Sequence, residues 1–517
     1  MEKRFVCGRE MPCAETIYGT VRGYMYDGVY IFKGIGYGRA KRFHMPEEPQ
    51  AWSGIRDALS YGYVSPLMHE ENPGGELYVP HMYWLRNENC LNLNIWTPSL
   101  EKSANKPVLV WFHGGGFESG SAVEQLAYDG AALCKYSDIV VISVNHRLNI
   151  LGYIDLSDYG ETYANSQNAG NDDLILALTW IQKNIQSFGG NPDNVTIFGQ
   201  SGGGGKVASL MQMPKAAGLF HKAMIMSGIL AQGTMAKDVD TRPVVKKMLK
   251  DLEIHGNNLE PLVELPYEAL VRYYEKAYRE VIGTGRPYFG PRPNEAYLGD
   301  EMNVGFAEFS KKIPVLIGSV IAEFTAFRKN DMKEKPDVYK EKDMILKKYG
   351  NEKGERLIHS LEKAYPGKRM SAIMALDSFA VRKPTMNWIQ KRIKEGGAEI
   401  FSYMFSLEFP VDGGTLAWHC SDIPFFFHNT DKVPVANIEG VTDKLEEKMS
   451  GALAAFAYKG VPKACGLPEW LKCEDGREAV MVFDKECRLG YNFDYELHKE
   501  LPEINPFSTI PVETIKH

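Results

Sequence analysis

The stretch Val195-Thr196-Ile197-Phe198-Gly199-Gln200-Ser201-Gly202-Gly203 is the most informative part of the chain. Its first four residues are apolar or β-branched and predict a strand, and the apolar run that continues to Met213 predicts a helix. A serine flanked by glycines between a strand and a helix is the arrangement called a nucleophile elbow, which exposes the serine at the carboxyl end of a sheet. The pattern therefore favours Ser201 as a nucleophile over a glycine-rich loop without chemistry.

A phosphate-binding loop would be a different interpretation of the same glycines, and the sequence excludes it. Gln200 stands where that motif requires its first glycine. Val207, which follows Lys206, stands where the motif requires a serine or threonine for magnesium.

Strand-like and helix-like segments alternate on both sides of the elbow. Residues 107–112 are continuously apolar and predict a buried parallel strand. Residues 139–144 and 314–318 predict further buried strands, and residues 172–188 predict a helix. Residues 90–96 alternate apolar and polar side chains and predict a half-buried strand. This alternation predicts an α/β fold with a mostly parallel central sheet flanked by helices.

Two charged stretches, at about 238–280 and 331–397, are predicted to be helical. We interpret them as helical insertions on the sheet, near the active site, at approximately 238–311 and 328–397. The 517 residues are otherwise predicted to form a single domain, 1–517, because large α/β enzymes reach this length as one unit.

A second glycine-rich motif, His113-Gly114-Gly115-Gly116-Phe117, directly follows a predicted strand. Glycines in series free several backbone N–H groups to face a cavity, where they can stabilise an oxyanion together with the N–H that follows the nucleophile. A plain flexible turn is the alternative, but three ordered glycines would be an entropically costly way to make one. The motif therefore favours an oxyanion hole.

A serine nucleophile needs a base and an acid, in the chain order serine, acid, histidine. His419 is the best candidate among 12 histidines because it lies late in the chain, in a loop. Glu323 fits the acid because it follows a predicted strand, although periodicity alone does not single it out. Asp422 is a rival through its proximity to His419, but it follows the histidine in the chain. We expect His146 and His221 to be structural.

Composition narrows the classes of partner. Hydrophobic residues make up 44% and charged residues 24% of the chain, which is typical of a globular protein, and the net charge of −7 argues against nucleic acid as a partner. No apolar run is long enough to cross a membrane, and the first ten residues lack the apolar core of an export signal. The eight cysteines show no metal-binding spacing. We therefore expect a cytoplasmic protein with free thiols.

The chain resembles the type-B carboxylesterase family, which also contains cholinesterases and neuroligins, over nearly its whole length. The segments that carry the resemblance are Glu88-Asn89-Cys90-Leu91-Asn92-Leu93-Asn94-Ile95-Trp96, Gly189-Gly190-Asn191-Pro192-Asp193-Asn194-Val195-Thr196-Ile197-Phe198-Gly199-Gln200-Ser201, Gly34-Ile35-Gly36-Tyr37 with Arg42-Phe43 and Trp52, and residues 449–459. The resemblance implies the α/β-hydrolase fold. It also implies Glu323 as the acid, His419 as the base, and oxyanion donors from Gly115, Gly116 and Gly202.

Several positions depart from the family pattern. Gln200 and Gly202 stand where the family usually has glutamate before the serine and alanine after it, and Cys420 replaces the glycine usual after the histidine. Cys90 matches a cysteine that closes a disulfide in secreted members, but no cysteine stands near positions 65–66 to pair with it. A free Cys90 thiol is therefore expected. None of these changes removes a catalytic atom, so they bear on substrate choice.

The predicted function is that of a serine carboxylic-ester hydrolase acting on small-molecule esters through an acyl-enzyme, without a metal or organic cofactor. Two alternatives stay open. One is a catalytically silent binding or adhesion protein on the same fold, and the other is an amidase or lactonase that uses the same residues. The sequence leaves the physiological substrate and the oligomeric state open.

Overall fold

A mostly parallel sheet of twelve strands organises the part of the chain that the structure describes. The structure is a computed structural model, and it describes residues 4–9, 11–69, 75–230, 239–283, 287–324, 337–370, 373 and 379–501. In chain order the strands are β1 (Phe5–Val6), β2 (Cys13–Thr16), β3 (Gly19–Arg22), β4 (Tyr24–Tyr26), β5 (Val29–Gly36), β6 (Ile55–Asp57), β7 (Asn92–Thr97), β8 (Lys106–Phe112), β9 (Val140–Val144), β10 (Gly190–Gln200), β11 (Lys222–Met226), β12 (Val315–Val320), β13 (Ile400–Phe405), β14 (Glu408–Phe409), β15 (Thr415–Leu416), β16 (Ala479–Phe483) and β17 (Arg488–Tyr491).

Helices connect these strands and cover the sheet. In chain order the α-helices are α1 (Ala131–Ser137), α2 (Asn149–Tyr153), α3 (Ala169–Asn184), α4 (Gly202–Leu210), α5 (Arg242–Asp251), α6 (Glu260–Val263), α7 (Tyr267–Val281), α8 (Glu301–Val304), α9 (Val338–Tyr349), α10 (Asn351–Ala364), α11 (Phe379–Lys394), α12 (Ile423–Phe427), α13 (Thr442–Lys459) and α14 (Tyr495–Glu500). The predicted helix at 172–188 corresponds to α3 and a 3₁₀ turn after it.

The large sheet has the strand order β1-β4-β5-β7-β9-β8-β10-β11-β12-β13-β16-β17. Neighbouring strands from β9 to β16 are parallel, whereas the pairs at both edges of the sheet are antiparallel. The predicted α/β fold with a mostly parallel central sheet is thereby confirmed. Two small sheets, β2-β3-β6 and β14-β15, lie outside it.

The apolar central strands are buried on both faces. Leu109 and Trp111 of β8 belong to one buried hydrophobic cluster, and Val108 and Val110 belong to another. Because successive side chains of a strand point to opposite faces, the two clusters lie on opposite sides of the sheet. A strand that is buried on both faces needs apolar residues at every position, which is why β8 has no alternating pattern.

The predicted half-buried strand at 90–96 is wrong in its burial. The corresponding strand β7 is buried at all six positions. Its polar side chains satisfy their hydrogen bonds internally: Asn94 Oδ1 accepts from the Gly34 N–H at 2.9 Å, and its Nδ2 donates to Ser143 Oγ at 3.1 Å. Asn92 Nδ2 donates to the Tyr63 carbonyl at 2.7 Å. Buried asparagines that have hydrogen-bond partners give the same alternation in sequence as exposed polar residues. Alternation alone therefore gave a wrong prediction of burial.

The register of the parallel strands brings four strand ends to one edge of the sheet. Phe112 of β8 lies opposite Gly199 of β10, Gln200 lies opposite Met226 of β11, and Met226 lies opposite Gly318 of β12. The segments that leave these strands therefore start side by side. They carry the glycine motif, Ser201 and Glu323.

The two predicted insertions contain helices in their described parts. Helices α5 to α8 lie within 238–311, of which residues 238 and 284–286 are outside the described residues. Helices α9 to α11 lie within 328–397, of which 328–336, 371–372 and 374–378 are outside them. Side chains of α5 and α7 form a buried cluster with Phe117, the residue that ends the glycine motif. The single-domain boundary stays a prediction.

None of the described helices is long and apolar enough to span a bilayer.

Cys90 is fully buried and is a free thiol in the structure, and burial raises its pKa to about 12. The cytoplasmic location stays a prediction.

Candidate active site

Ser201 stands at a sharp turn between β10 and α4. Its backbone has φ 58° and ψ −126°, a conformation that costs a non-glycine residue free energy and that persists only where its surroundings enforce it. The Ser201 N–H donates to the Met226 carbonyl at 2.8 Å, and the Gly205 N–H donates to the Ser201 carbonyl at 3.0 Å. These bonds hold the serine at the carboxyl edge of the sheet, next to the N-terminus of α4.

Glu323 and His419 form a hydrogen-bonded pair at the same edge. His419 Nδ1 lies 2.6 Å from Glu323 Oε2, and the His419 backbone N–H donates to the Glu323 carbonyl. The Glu323 side chain is fully buried, and its other oxygen accepts from Ser227 Oγ at 2.8 Å and from the Val320 N–H at 3.2 Å. A carboxylate held by two other donors has one oxygen left for the imidazole, so it orients the ring and stabilises its charged form.

The second ring nitrogen of His419 faces the side chain that precedes the serine. His419 Nε2 lies 3.2 Å from Gln200 Nε2, and Cys420 Sγ donates to Gln200 Oε1 at 3.3 Å. An amide nitrogen can only donate, so the neutral imidazole carries its proton on Nδ1 and its lone pair on Nε2. No hydrogen bond joins Ser201 Oγ to His419 within the described residues.

The rival acid, Asp422, has a different partner. Its Oδ2 accepts from Tyr403 Oη at 2.7 Å, and the side chain is fully buried. Burial raises the pKa of Asp422 to about 7, and the nearby negative charge of Glu323 contributes to this rise. The structure therefore places Glu323, and not Asp422, against His419 Nδ1.

The glycine motif presents backbone donors beside the serine. Gly115 and Gly116 both have positive φ, at 78° and 64°. A side chain at Gly115 would be strained, because its Cβ would lie 2.4 Å from the Ser119 carbonyl oxygen. Among the described residues, no acceptor is recorded for the N–H groups of Gly115, Gly116 or Gly202. The Gly202 N–H is free because it belongs to the first turn of α4.

The other two histidines singled out in the sequence form no hydrogen bond with Ser201, Glu323 or His419 among the described residues. His146 is almost fully buried, and burial keeps its pKa well below the usual value, with a further contribution from the charge of Lys206. His221 Nδ1 accepts from the Val195 N–H at 3.2 Å, at the start of the strand that leads to the elbow.

Sequence reasoning missed Lys206 and the contact between Gln200, His419 and Cys420. Lys206 is fully buried in α4 and donates to the His113 carbonyl at 2.9 Å. A charged residue within an otherwise apolar helix after the elbow was a visible signal for it. Gln200 and Cys420 were visible only as departures from a family pattern, because 220 positions separate them in sequence.

Comparisons with known proteins show what the whole chain is similar to. The model of the carboxylesterase family matches residues 10–499. Para-nitrobenzyl esterase of Bacillus subtilis (strain 168) is 30% identical over 498 residues, which are 94% of this chain and 97% of that protein. Phenmedipham hydrolase of Pseudarthrobacter oxydans is 29% identical over 523 residues, which are 92% of this chain and 95% of that protein.

Solved structures show the same similarity. An esterase from Clostridium hathewayi, described as able to hydrolyse aliphatic aromatic polyesters, superposes with a TM-score of 0.92 and 45% identity over 96% of this chain and 99% of that one. A carboxylesterase from Geobacillus stearothermophilus superposes with a TM-score of 0.71 and 30% identity over 95% of this chain and 100% of that one.

Proposed function

Because the chain belongs to the carboxylesterase family, we propose that it cleaves esters with Ser201 as nucleophile, His419 as base and Glu323 as acid. The chain is a serine carboxylic-ester hydrolase by its family and its esterase relatives, and a silent binding protein is not favoured. The observation that carries the residue assignment is the 2.6 Å contact between His419 Nδ1 and the buried Glu323 carboxylate.

The first step transfers the Ser201 hydroxyl proton to His419 Nε2 while the oxygen attacks the ester carbonyl. The Nδ1 proton stays on the ring and is shared with Glu323, which stabilises the imidazolium without being protonated itself. In the resting enzyme, Gln200 Nε2 donates to the lone pair of His419 Nε2 at 3.2 Å. We therefore infer that the Gln200 amide gives up this contact when Ser201 hands over its proton.

The tetrahedral intermediate places a negative oxygen among the three backbone donors. The N–H groups of Gly115, Gly116 and Gly202 have no recorded acceptor among the described residues, so no internal hydrogen bond has to be broken before they receive the oxyanion. Removing one donor of this kind typically raises the barrier by about 2.7–4 kcal/mol.

The intermediate then collapses, the carbon–oxygen bond to the alcohol breaks, and the imidazolium gives its proton to the leaving oxygen. This leaves an acyl group on Ser201. Water attacks the acyl carbon while His419 takes one of its protons, and collapse of the second intermediate returns that proton to Ser201 and releases the acid.

We infer that small esters with an aromatic group are among the substrates. The Phe324 ring lies 4.5 Å from the His419 ring, centroid to centroid, so an aromatic surface adjoins the base. An aromatic group of a substrate can pack against such a ring in an offset or edge-to-face geometry. A relative with 45% identity is described as hydrolysing aliphatic aromatic polyesters, which agrees with this inference.

The test is a panel of aryl and alkyl esters, each with its matched amide and, where possible, lactone, assayed on the purified protein. We expect ester turnover, an aryl preference, and a single fluorophosphonate adduct that mass spectrometry places on Ser201. Ser201→Ala is the control and is expected to lose turnover and labelling together. An adduct on another residue, or undiminished turnover of Ser201→Ala, would refute the assignment.

A further inference from the structure

A buried lysine lies beneath the glycine motif. Lys206 belongs to α4, one turn after Gly202, and is 0% exposed. Its ammonium donates to the His113 carbonyl at 2.9 Å and lies 6.0 Å from the centre of the Phe117 ring. The ammonium thus contacts the first residue of the His113-Gly114-Gly115-Gly116-Phe117 motif and lies near the last.

No salt bridge to Lys206 occurs among the described residues. The negative charge of Glu124 favours the ammonium, but it offsets only part of the effect of burial on the pKa of Lys206. The titratable groups that interact with it from neighbouring elements are His113, His146 and Glu124. Burial, and then the charge of Lys206, keeps the pKa of both histidines well below the usual value, so both are neutral.

Because Lys206 is buried without a salt bridge among the described residues, its charged form lowers the free energy of unfolding. Burial lowers the pKa of Lys206 to about 7, from an ordinary value near 10.5. A hydrogen bond to one carbonyl could be made by a neutral donor, and an apolar side chain could fill the same volume. Because the buried charge lowers the stability of the folded protein, packing alone does not explain why a lysine stands at this position.

We propose that Lys206 is a positioning residue whose ammonium holds the glycine motif in its oxyanion-binding conformation and adds positive charge behind it. The bond to the His113 carbonyl fixes the peptide between His113 and Gly114. The next two peptides carry the N–H groups of Gly115 and Gly116, so their direction depends on the first. This inference rests on the proposed role of those N–H groups.

The charge itself also favours catalysis. A cation bound to a carbonyl polarises that peptide, and in a site from which water is excluded its field acts on a developing oxyanion with little screening. The same field is present in the ground state but acts there on a neutral ester, so its effect falls on kcat more than on KM.

The experiment compares Lys206→Met with a control, Lys222→Met, at pH 6 and pH 9. Lys222 is also buried, in β11 on the same sheet, and burial lowers its pKa to about 8, but its partner is Asn194. Fluorophosphonate labelling of Ser201 counts the active sites in each preparation. If the adduct forms elsewhere, the proposed function fails, whatever Lys206 does.

With Ser201 labelled, Lys206→Met should lower kcat about tenfold at pH 6, where wild-type Lys206 is charged, with KM changed by less than about twofold. The deficit should shrink to about threefold or less at pH 9, where wild-type Lys206 is neutral. Lys222→Met should keep wild-type kcat at both pH values. A Lys206→Met enzyme with wild-type kcat, or with the same deficit at both pH values, would overturn the proposal.

Discussion

The Gln200 side-chain nitrogen lies 3.2 Å from His419 Nε2, the ring nitrogen that receives the serine proton in the proposed mechanism. The thiol of Cys420 donates to the other end of the same amide at 3.3 Å, which keeps the nitrogen end directed at the imidazole. Gln200 and Cys420 are also two of the positions that depart from the usual family pattern. The contact between Gln200 and His419 favours the neutral tautomer with a free lone pair on Nε2, which is the tautomer that the proposed mechanism requires.

Replacing Gln200 by glutamate should shift the pH dependence of the reaction. A carboxylate beside the imidazole favours the imidazolium, which cannot act as a base, so activity should be lost at a higher pH on the acid side. We expect the acid limb of kcat/KM to move up by about one pH unit in Gln200→Glu. A pH profile between 5 and 9 measures this, and an acid limb that stays in place would show that Gln200 does not face the working base.

Removing the charge of Glu323 should abolish most turnover. Glu323→Gln leaves the imidazolium without its counter-charge, and comparable changes lower kcat about 10⁴-fold. Asp422→Asn is the control, because Asp422 is equally buried but hydrogen-bonds to Tyr403 instead of His419. We expect Asp422→Asn to keep kcat within about threefold. If Asp422→Asn were the crippling change, the acid would be misassigned.

Gly202→Ala should be far more damaging than Gly205→Ala, although both lie in α4. A Cβ on Gly202 would lie 2.2 Å from the Gly116 carbonyl oxygen and 2.4 Å from the Gly116 nitrogen, so the oxyanion donors would have to move apart. A Cβ on Gly205 meets nothing closer than 3.6 Å. We expect kcat to fall about a hundredfold in Gly202→Ala, because one oxyanion donor is lost. In Gly205→Ala we expect kcat to change little. If Gly202→Ala and Gly205→Ala had the same kcat, the glycine motif would be able to move aside for the added methyl group.

Arg382 anchors the described C-terminal part of the chain through a buried charge cluster. Its guanidinium lies 2.7 Å from Glu478 and 2.8 Å from Asp494, and all three side chains are nearly or fully buried. Asp494→Asn leaves the guanidinium partly uncompensated, so the free energy of unfolding should fall by about 3–5 kcal/mol at pH 7. Denaturant titration measures the change. A loss below about 1 kcal/mol would show that the cluster is more hydrated than its burial suggests.

The same cluster predicts acid sensitivity. Burial opposes ionisation of Asp494, but the attraction and hydrogen bonds of Arg382 outweigh it and hold the pKa of Asp494 well below its usual value. A carboxyl whose folded pKa is depressed stabilises the protein above its unfolded pKa of about 3.9, and loses that contribution as pH falls toward the folded pKa. The difference in unfolding free energy between wild type and Asp494→Asn should therefore narrow below about pH 4. A constant difference down to pH 3 would contradict this.

Local patterns were enough to predict the fold class. Continuous apolar runs indicated the central strands, and the elbow indicated where a strand meets a helix. The one clear error, the burial of β7, arose because Asn92 and Asn94 are polar by composition but satisfied inside the protein. A periodic pattern reports polarity, whereas burial depends on whether a polar group finds partners, and those partners lie far away in sequence.

The sequence by itself determined the motifs whose residues are neighbours in the chain: the turn around Ser201 and the three glycines after β8. Both motifs are continuous in the sequence and can be recognised there, and in the second the local backbone itself requires glycine because φ is positive at Gly115 and Gly116. The sequence also determined the family, through segments spread over the whole chain.

Only the tertiary structure decided which distant groups meet. In the sequence, chain order and the family resemblance favoured Glu323, and proximity to His419 favoured Asp422. In the structure, the register of β11 and β12 and the loops after them bring Glu323 to His419 Nδ1, while Asp422 is bound by Tyr403. Lys206 was visible in the sequence as a lysine within an apolar helix, but its contact with the His113 carbonyl depends on the position of α4 under the glycine motif. The physical reason is that parallel strands gather their carboxyl ends at one edge of a sheet, whatever the distance along the chain, and chain order does not encode the direction of each side chain there.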